Sequence, residues 1–228
     1  MHLIKLFTKT IFILSILLAI SASVVRVYAT QPFVQNQLMS YSNVEQSVGL
    51  SKVQLHQVSD TMSDYLSNNT DILDLRLKTS TSKIALFSPK EITHMRDVKE
   101  IILKIYNIQI LSILFLVLYI LFIYIWSRER AMRDLLNDLR LAGIIGNSIL
   151  LVLGILLYFS FDRYFVLFHE VAFANDFWML DPKKDLLVQL YPMKFWNLIS
   201  VAYITTIIFI NLFFVAASSI LLKYFKKN

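Results

Sequence analysis

The sequence contains no cysteine, and only 4 glycines and 4 prolines among its 228 residues. The absence of cysteine excludes disulfide bonds, thiol nucleophiles and thiolate metal sites. The few glycines and prolines argue against long flexible linkers. Neither a glycine-rich phosphate loop nor a Gly-x-Ser-x-Gly nucleophile elbow occurs, so we expect no nucleotide partner and no serine-hydrolase chemistry.

Charge is also scarce, because 17% of the residues are charged while 57% are hydrophobic. Soluble domains are nearer about 25% charged and about 45–50% apolar, so the composition favours a membrane protein. The formal net charge is +6, but the basic residues lie mostly at the ends of apolar segments. There they indicate membrane topology, and we expect no nucleic-acid partner.

Four stretches are long and apolar enough to cross a bilayer, which takes roughly 20 residues. They predict an all-α membrane protein with four transmembrane helices and a mainly helical extracellular cap. The expected organisation along the chain is as follows: 1–29, first transmembrane helix; 30–100, extracellular cap; 101–126, second transmembrane helix; 127–140, cytoplasmic loop; 141–161, third transmembrane helix; 162–197, aromatic-rich extracellular or interfacial loop; 198–228, fourth transmembrane helix and basic cytoplasmic tail.

The basic residues predict the orientation of these spans. They cluster before the first span, between the second and third, and after the fourth, at Lys5, Lys9, Arg128, Arg130, Arg133, Arg140, Lys223, Lys226 and Lys227. The positive-inside bias is satisfied everywhere if all three places are cytoplasmic. Both termini are then cytoplasmic, and the segments 30–100 and 162–197 lie outside.

The first span has an alternative interpretation as a cleaved signal peptide, because Val27-Tyr28-Ala29 resembles a cleavage site. Arg26 is unusual so close to such a site, and we expect a retained anchor. Small residues recur at every fourth position in the first span, and Ala142 and Gly146 repeat that spacing in the third. This interval predicts close helix packing in lipid.

Outside the spans, the cap carries a helical stripe of apolar residues: Val44, Val48, Leu55, Val58, Met62 and Tyr65 or Leu66. Further along, Ser88, Pro89 and Glu91 form a helix start with a capping box. Neither glycine nor proline follows before Trp126, so this helix is predicted to run unbroken into the second span.

Two histidines are candidates for chemistry. His94 precedes the second span, and His169 lies in an aromatic run after the third, so both are expected near the outer membrane surface. Asp97 follows His94 by three residues, on the same helix face, and could fix its tautomer. Together with Asp97, Glu170 or Asp176, the histidines could also hold zinc, although we expect no metal and no cofactor.

Two blocks of the sequence resemble the signatures of a known family. They are 87–99, which reads FSPKEITHMRDVK, and 168–185, which contains Phe-His-Glu and then Asn-Asp-x-Trp-x-Leu-Asp-Pro before Asp185. Their order and spacing resemble the lipoprotein intramolecular transacylases, four-helix membrane proteins of Gram-positive bacteria. Ala172 and Ala174 depart from the family pattern, where bulkier residues are expected.

The resemblance implies an acyltransferase of the bacterial cell membrane with its active site at the outer face. Its substrate would be a diacylglyceryl-modified lipoprotein, whose sn-2 acyl chain moves to its own N-terminal amine to give the lyso-form. The resemblance implies that His94 and His169 are the catalytic residues. We expect His169 to be the base and His94 the acid, or the reverse.

The remaining site residues are expected to shape the pocket. Phe168, Phe173, Phe177 and Trp178 are predicted to wall it, and Arg96, Asn175 and Trp178 are candidate oxyanion donors. Two rival functions remain open at this point. One is a non-enzymatic membrane subunit with a docking cap, and the other is a metal-dependent membrane hydrolase.

Overall fold

The computed structural model describes residues 2–68, 70, 73, 76–78, 83–85, 87–127 and 131–227. Four of its helices are long and apolar enough to cross a membrane, which confirms the predicted fold class. A two-stranded antiparallel sheet was not predicted. In chain order the elements are α1 (His2–Thr30), α2 (Pro32–Tyr41), α3 (Val44–Val48), α4 (Lys52–Leu66), β1 (Arg76–Lys78), β2 (Lys83–Ala85), α5 (Pro89–Ser127), α6 (Ala131–Ala172), α7 (Leu186–Leu190) and α8 (Met193–Lys227).

The start of α5 has the predicted capping box. The backbone N–H of Ser88 donates to Glu91 Oε2 at 2.7 Å, and the N–H of Glu91 donates to Ser88 Oγ at 3.3 Å. The other oxygen of Glu91 accepts the backbone N–H of Leu187 at 2.6 Å. From this start α5 runs unbroken for 39 residues, as the sequence predicted.

The third long helix, α6, is longer than predicted. The segment 127–140, predicted as a loop, is helical from Ala131, and helix continues through Ala172 into the aromatic segment. Ser160 interrupts it with φ −149° and ψ 42°. This stretch contains no proline that would end the helix. Hydrophobicity indicates which part of a helix can lie in lipid, but it does not indicate where the helix ends.

One compact unit contains residues 1–25, 105–158 and 202–228. In it Phe12, Ile13 and Ile16 of α1 pack in one buried cluster with Ala142 of α6. Gly143 lets α6 approach α8 so closely that an added Cβ would lie 2.9 Å from a backbone oxygen there, that of Asn211. The two small residues predicted to pack closely in the third span do so, because Ala142 is completely buried and a Cβ at Gly146 would lie 2.7 Å from the side chains of Leu17 and Asn211.

Polar side chains join the helices within the same unit. Gln109 donates to Ser23 at 2.8 Å, and Asn211 donates to Asn147 at 3.1 Å. Such bonds satisfy polar groups that the lipid cannot. Lys9 forms an ion pair with Asp138 at 2.6 Å, and it is one of the basic residues expected on the cytoplasmic side.

The second compact unit contains residues 26–104 and 159–201. Its buried core includes the predicted apolar stripe of α3 and α4, with Val44 and Val58 completely buried. A buried polar network crosses this core, because Tyr191 Oη donates to Gln35 Oε1, and Gln35 Nε2 donates to Ser63 and to the carbonyl of Ala29. The buried side chains of Tyr191, Gln35 and Ser63 thereby find partners inside the core.

We expect Gly143→Ala to lower stability by about 1–3 kcal/mol, because the new methyl group would overpack against backbone that cannot rotate away. The measurement is the thermal unfolding midpoint in detergent. Gly154→Ala is the matched control, since its Cβ meets nothing within 4 Å. An equal effect of both substitutions would contradict close packing at Gly143.

Candidate active site

The second compact unit brings the two candidate histidines together. The ring centroids of His94, on α5, and His169, on α6, lie 6.0 Å apart with an interplanar angle of 34°. Each residue is only 8% exposed. The two residues stand 75 positions apart in the sequence, on different helices, and the fold places them in one buried location.

Aromatic side chains surround His169. Phe165 lies closest, with its ring centroid 4.3 Å away, and Trp178 follows at 5.1 Å. Trp196 packs on Phe165 in turn. Of the predicted pocket residues, Phe168, Phe173 and Trp178 contact the imidazole of His169. The fourth, Phe177, is 41% exposed.

The sequence did not single out Phe165 or Trp196 as site residues. Phe165 stands one helical turn before His169, and this i, i+4 spacing is the signal that could have indicated a contact. No comparable local signal exists for Trp196, which belongs to α8.

The hydrogen bond of His169 determines its tautomer. Its Nδ1 lies 2.7 Å from the carbonyl oxygen of Phe165. A carbonyl oxygen only accepts, so Nδ1 carries the proton and donates. In the neutral ring Nε2 then holds the lone pair and is the atom able to take up a proton.

His94 is in a different electrostatic position. Its Nδ1 is buried and has no hydrogen-bond partner. The pKa of His94 is lowered to about 4, mainly by burial and also by the nearby imidazole of His169, while the charge of Asp97 opposes the shift. Burial also lowers the pKa of His169, while its bond to Phe165 raises it. Both histidines lie outside the apolar runs, and burial favours the neutral form of both rings.

Asp97 has a different partner from the one that the sequence suggested. Its Oδ2 accepts a hydrogen bond from Asn175 Nδ2 at 2.9 Å, and the Oδ1 of Asn175 accepts the backbone N–H of Phe177 at 3.1 Å. The effect of Asp97 on His94 is therefore electrostatic, since Nδ1 of His94 has no hydrogen-bond partner.

The other predicted site residues lie nearer the solvent. Arg96, Glu170 and Asp176 are all exposed. Across the residues that the structure describes, no three His, Asp or Glu side chains are grouped so as to hold a metal ion. The arrangement can therefore supply two neutral imidazoles in an apolar, aromatic setting, which suits proton transfer.

Comparisons with known proteins agree with this arrangement. The chain matches the solved in meso structure of the membrane integral lipoprotein intramolecular transacylase Lit from Bacillus cereus, with 21% identity, full coverage of both chains and a TM-score of 0.80. Two further structures of that protein, carrying a histidine-to-arginine or a histidine-to-alanine substitution, match with TM-scores of 0.75 and 0.76. At this identity these structures show the shared fold.

A curated relative from Aquifex aeolicus (strain VF5), described as an uncharacterized protein, is 36% identical over 110 residues. The match spans 48% of this chain and 46% of that relative, which is about half of each. The family model described as lipoprotein intramolecular transacylase Lit matches residues 9–196, which include both histidines and their aromatic surroundings. The chain therefore belongs to the lipoprotein intramolecular transacylase Lit family.

Proposed function

We propose that this protein moves the sn-2 acyl chain of a diacylglyceryl-cysteine lipoprotein to the lipoprotein's own N-terminal amine. The observation that carries the proposal is the pair of buried imidazoles 6.0 Å apart with aromatic rings around them. The known histidine variants of the Bacillus cereus protein agree with a role for a histidine in the family.

The reaction needs little beyond proton transfer and positioning. Conversion of an ester to an amide is downhill, so no nucleotide is required. The substrate carries its own amine nucleophile, with a pKa of about 8, so a fraction is already neutral near pH 7. The enzyme must remove a proton from nitrogen, supply one to the departing glycerol oxygen, and hold both groups in reach.

His169 is the base in this proposal. As the amine nitrogen bonds to the ester carbonyl carbon, Nε2 of His169 accepts the proton that nitrogen loses. The carbon–oxygen bond to glycerol then breaks, and the alkoxide oxygen receives a proton from an imidazolium, so the net change moves one proton from nitrogen to oxygen. Such acid–base help is worth roughly 10²–10⁴-fold in rate.

His94 is the partner imidazole. With its pKa lowered to about 4, it is not charged in the free enzyme, so it can act as an acid only after receiving the proton released in the reaction. The roles of acid and base can also be exchanged between the two rings.

The aromatic rings around His169 position the substrate in this proposal. Holding an amine and an ester of one molecule in attack position can lower the barrier by up to about 7–11 kcal/mol in favourable cases. Phe168, Phe173 and Trp178 confine the space beside His169. Trp178 is the proposed oxyanion donor through its indole N–H, because its ring contacts His169 while Asn175 already donates to Asp97 and Arg96 is exposed.

The proposed location is the outer face of a bacterial cell membrane, with both termini in the cytoplasm. The protein has no cysteine, so single introduced cysteines report topology without background. We expect Val53→Cys, in the exposed part of α4, to react with a membrane-impermeant maleimide in intact cells. Tyr224→Cys should react only after permeabilisation, and the opposite pattern would reverse the orientation.

We expect His94→Ala and His169→Ala each to lower formation of the lyso-form by about 10²-fold or more, the usual contribution of an acid–base group. The measurement is mass spectrometry of lipoprotein N-terminal peptides in a host that lacks the activity. His56→Ala is the control, because His56 is an exposed histidine of α4.

Expression in the same host also distinguishes the proposed function from the two rival functions. A non-enzymatic subunit would leave lipoproteins unchanged when the wild-type protein is expressed alone. A metal-dependent hydrolase would release free fatty acid and lose activity with a chelator. Undiminished lyso-form in either histidine variant would remove that histidine from the proposal.

The lowered pKa of His94 predicts how stability depends on pH. Between pH 6.5 and about 4 the unfolded chain binds a proton at this residue and the folded chain does not, so stability falls as the pH is lowered through this window. Thermal unfolding midpoints in detergent should therefore drop less steeply for His94→Gln than for the wild type. His56→Gln is the control, and an unchanged pH dependence in His94→Gln would show that His94 is not held neutral.

A further inference from the structure

A short segment after α6 packs over His94, the buried histidine of α5. We call residues 173–180, which follow α6, the aromatic strap. Along α5 the residues Lys90, His94 and Asp97 stand at i, i+4 and i+7, so they share one helix face. Residues of the strap contact all three of these side chains: Phe173 contacts His94, Asn175 contacts Asp97, and Met179 contacts Lys90.

Along α5 an aromatic contact lies between two polar ones. Lys90 Nζ donates to the backbone carbonyl of Met179, and Asp97 accepts from Asn175 at 2.9 Å. His94 stands between Lys90 and Asp97 on α5, and the ring of Phe173 lies edge-on to it, with centroids 5.1 Å apart. The Lys90–Met179 and Asp97–Asn175 hydrogen bonds, which we call the two clasps, therefore lie about one helical turn before and after His94 on α5.

Each clasp stands next to a ring that walls the site. Asn175 is two residues after Phe173, and Met179 is one residue after Trp178, whose ring lies 5.1 Å from His169. Hydrogen bonds inside the strap make it a defined shape, because Phe177 N–H donates to Asn175 Oδ1 and Leu180 N–H donates to the Trp178 carbonyl. A shift at either clasp would move a wall ring.

Ties between loops and helices are common and usually serve stability alone. Three features distinguish this pair. The tied helix face contains a candidate catalytic side chain, each tie is adjacent to a wall ring, and the Asp97 tie involves a carboxylate that raises the pKa of His94. The pattern suits a device that sets where the walls stand relative to the imidazoles.

We propose that Asp97 and Lys90 are positioning residues that clasp the aromatic strap onto α5, so that Phe173 and Trp178 hold the substrate amine and ester in attack geometry. This inference rests on the proposed transacylase function. Loosening a clasp changes the geometry of the bound substrate more than the strength of its binding. Such misplacement commonly costs about 10²-fold in rate, so kcat should fall by about 10–100-fold with a smaller change in KM.

An exchange of the two partners tests the Asp97 clasp. Asn175→Asp places two carboxylates against each other, so it should open the clasp and lower kcat. Adding Asp97→Asn restores a donor opposite a carboxylate, and Oδ1 at position 175 can still accept the Phe177 N–H. The double variant should recover about tenfold of the lost kcat, a coupling within the range for residues in contact.

The second clasp is tested with Lys90→Met, which removes the donor while keeping much of the apolar stem. Lys90→Arg is the conservative variant and should retain most of kcat, since a guanidinium can also donate to the Met179 carbonyl. Glu100→Gln is the control, because it neutralises an exposed charge of α5 outside the clasped face.

Hydrogen exchange of the full-length protein in detergent, followed at the amides of 173–180, gives a readout that does not depend on activity. Exchange there should speed up in Asn175→Asp and Lys90→Met and return toward wild type in the double variant and in Lys90→Arg. Unchanged exchange and unchanged kcat in Asn175→Asp would overturn the clasp, as would failure of the double variant to recover.

The two proposals fail in different ways. If the wild-type protein makes no lyso-form lipoprotein, the proposed function is wrong, while the exchange data still report whether the clasps hold the strap. If the wild-type protein is active and the clasp variants keep its kcat, only the positioning role is wrong.

Discussion

The contact between His94 and His169 is the constraint on which the candidate site depends. In the proposed reaction, two imidazoles 6.0 Å apart transfer protons only while both stay out of water and each ring has a fixed orientation. The Phe165 carbonyl fixes the tautomer of His169, and four aromatic rings lie against its imidazole. Burial favours the uncharged form of both rings, which the proposed acid–base chemistry requires.

Burying polar groups is costly unless each has a partner, and the second compact unit meets this condition around the site. Glu91 is 2% exposed and accepts backbone N–H groups from both Ser88 and Leu187. Gln35 bonds to Tyr191, Ser63 and the carbonyl of Ala29. Against this background the Nδ1 of His94, like Ser42 Oγ in the same unit, is a buried atom without a hydrogen-bond partner among the described residues, and a catalytic role is one explanation for such an atom.

The proposed substrate chemistry explains why few charged groups would be needed. In the proposed intramolecular transfer the substrate brings its own nucleophile and leaving group, so the protein would contribute confinement and proton transfer. Aromatic rings are suited to confinement because they are large and have few rotatable bonds. Polar ties such as the Asp97–Asn175 bond can hold the segment that carries these rings in place. The site is thus built mainly from apolar walls, with polar contacts behind them.

The sequence by itself determined the features that depend on local pattern. The four spans follow from apolar composition, the start of α5 from Ser88 and Glu91, and the core stripe of α4 from its helical spacing. It also indicated His94 and His169, through their place beside two spans and the family resemblance. The ends of α6 were less predictable, because hydrophobicity does not mark where a helix stops.

Only the tertiary structure decided how the site is assembled. The partner of Asp97 is 78 positions away, and that of Lys90 is 89 positions away, so no local pattern could pair them. The packing of Trp196 on Phe165 likewise joins two different helices. Local sequence sets which faces of a helix are apolar or polar, whereas the choice of partner depends on how distant elements pack, and this packing places the walls around the two imidazoles.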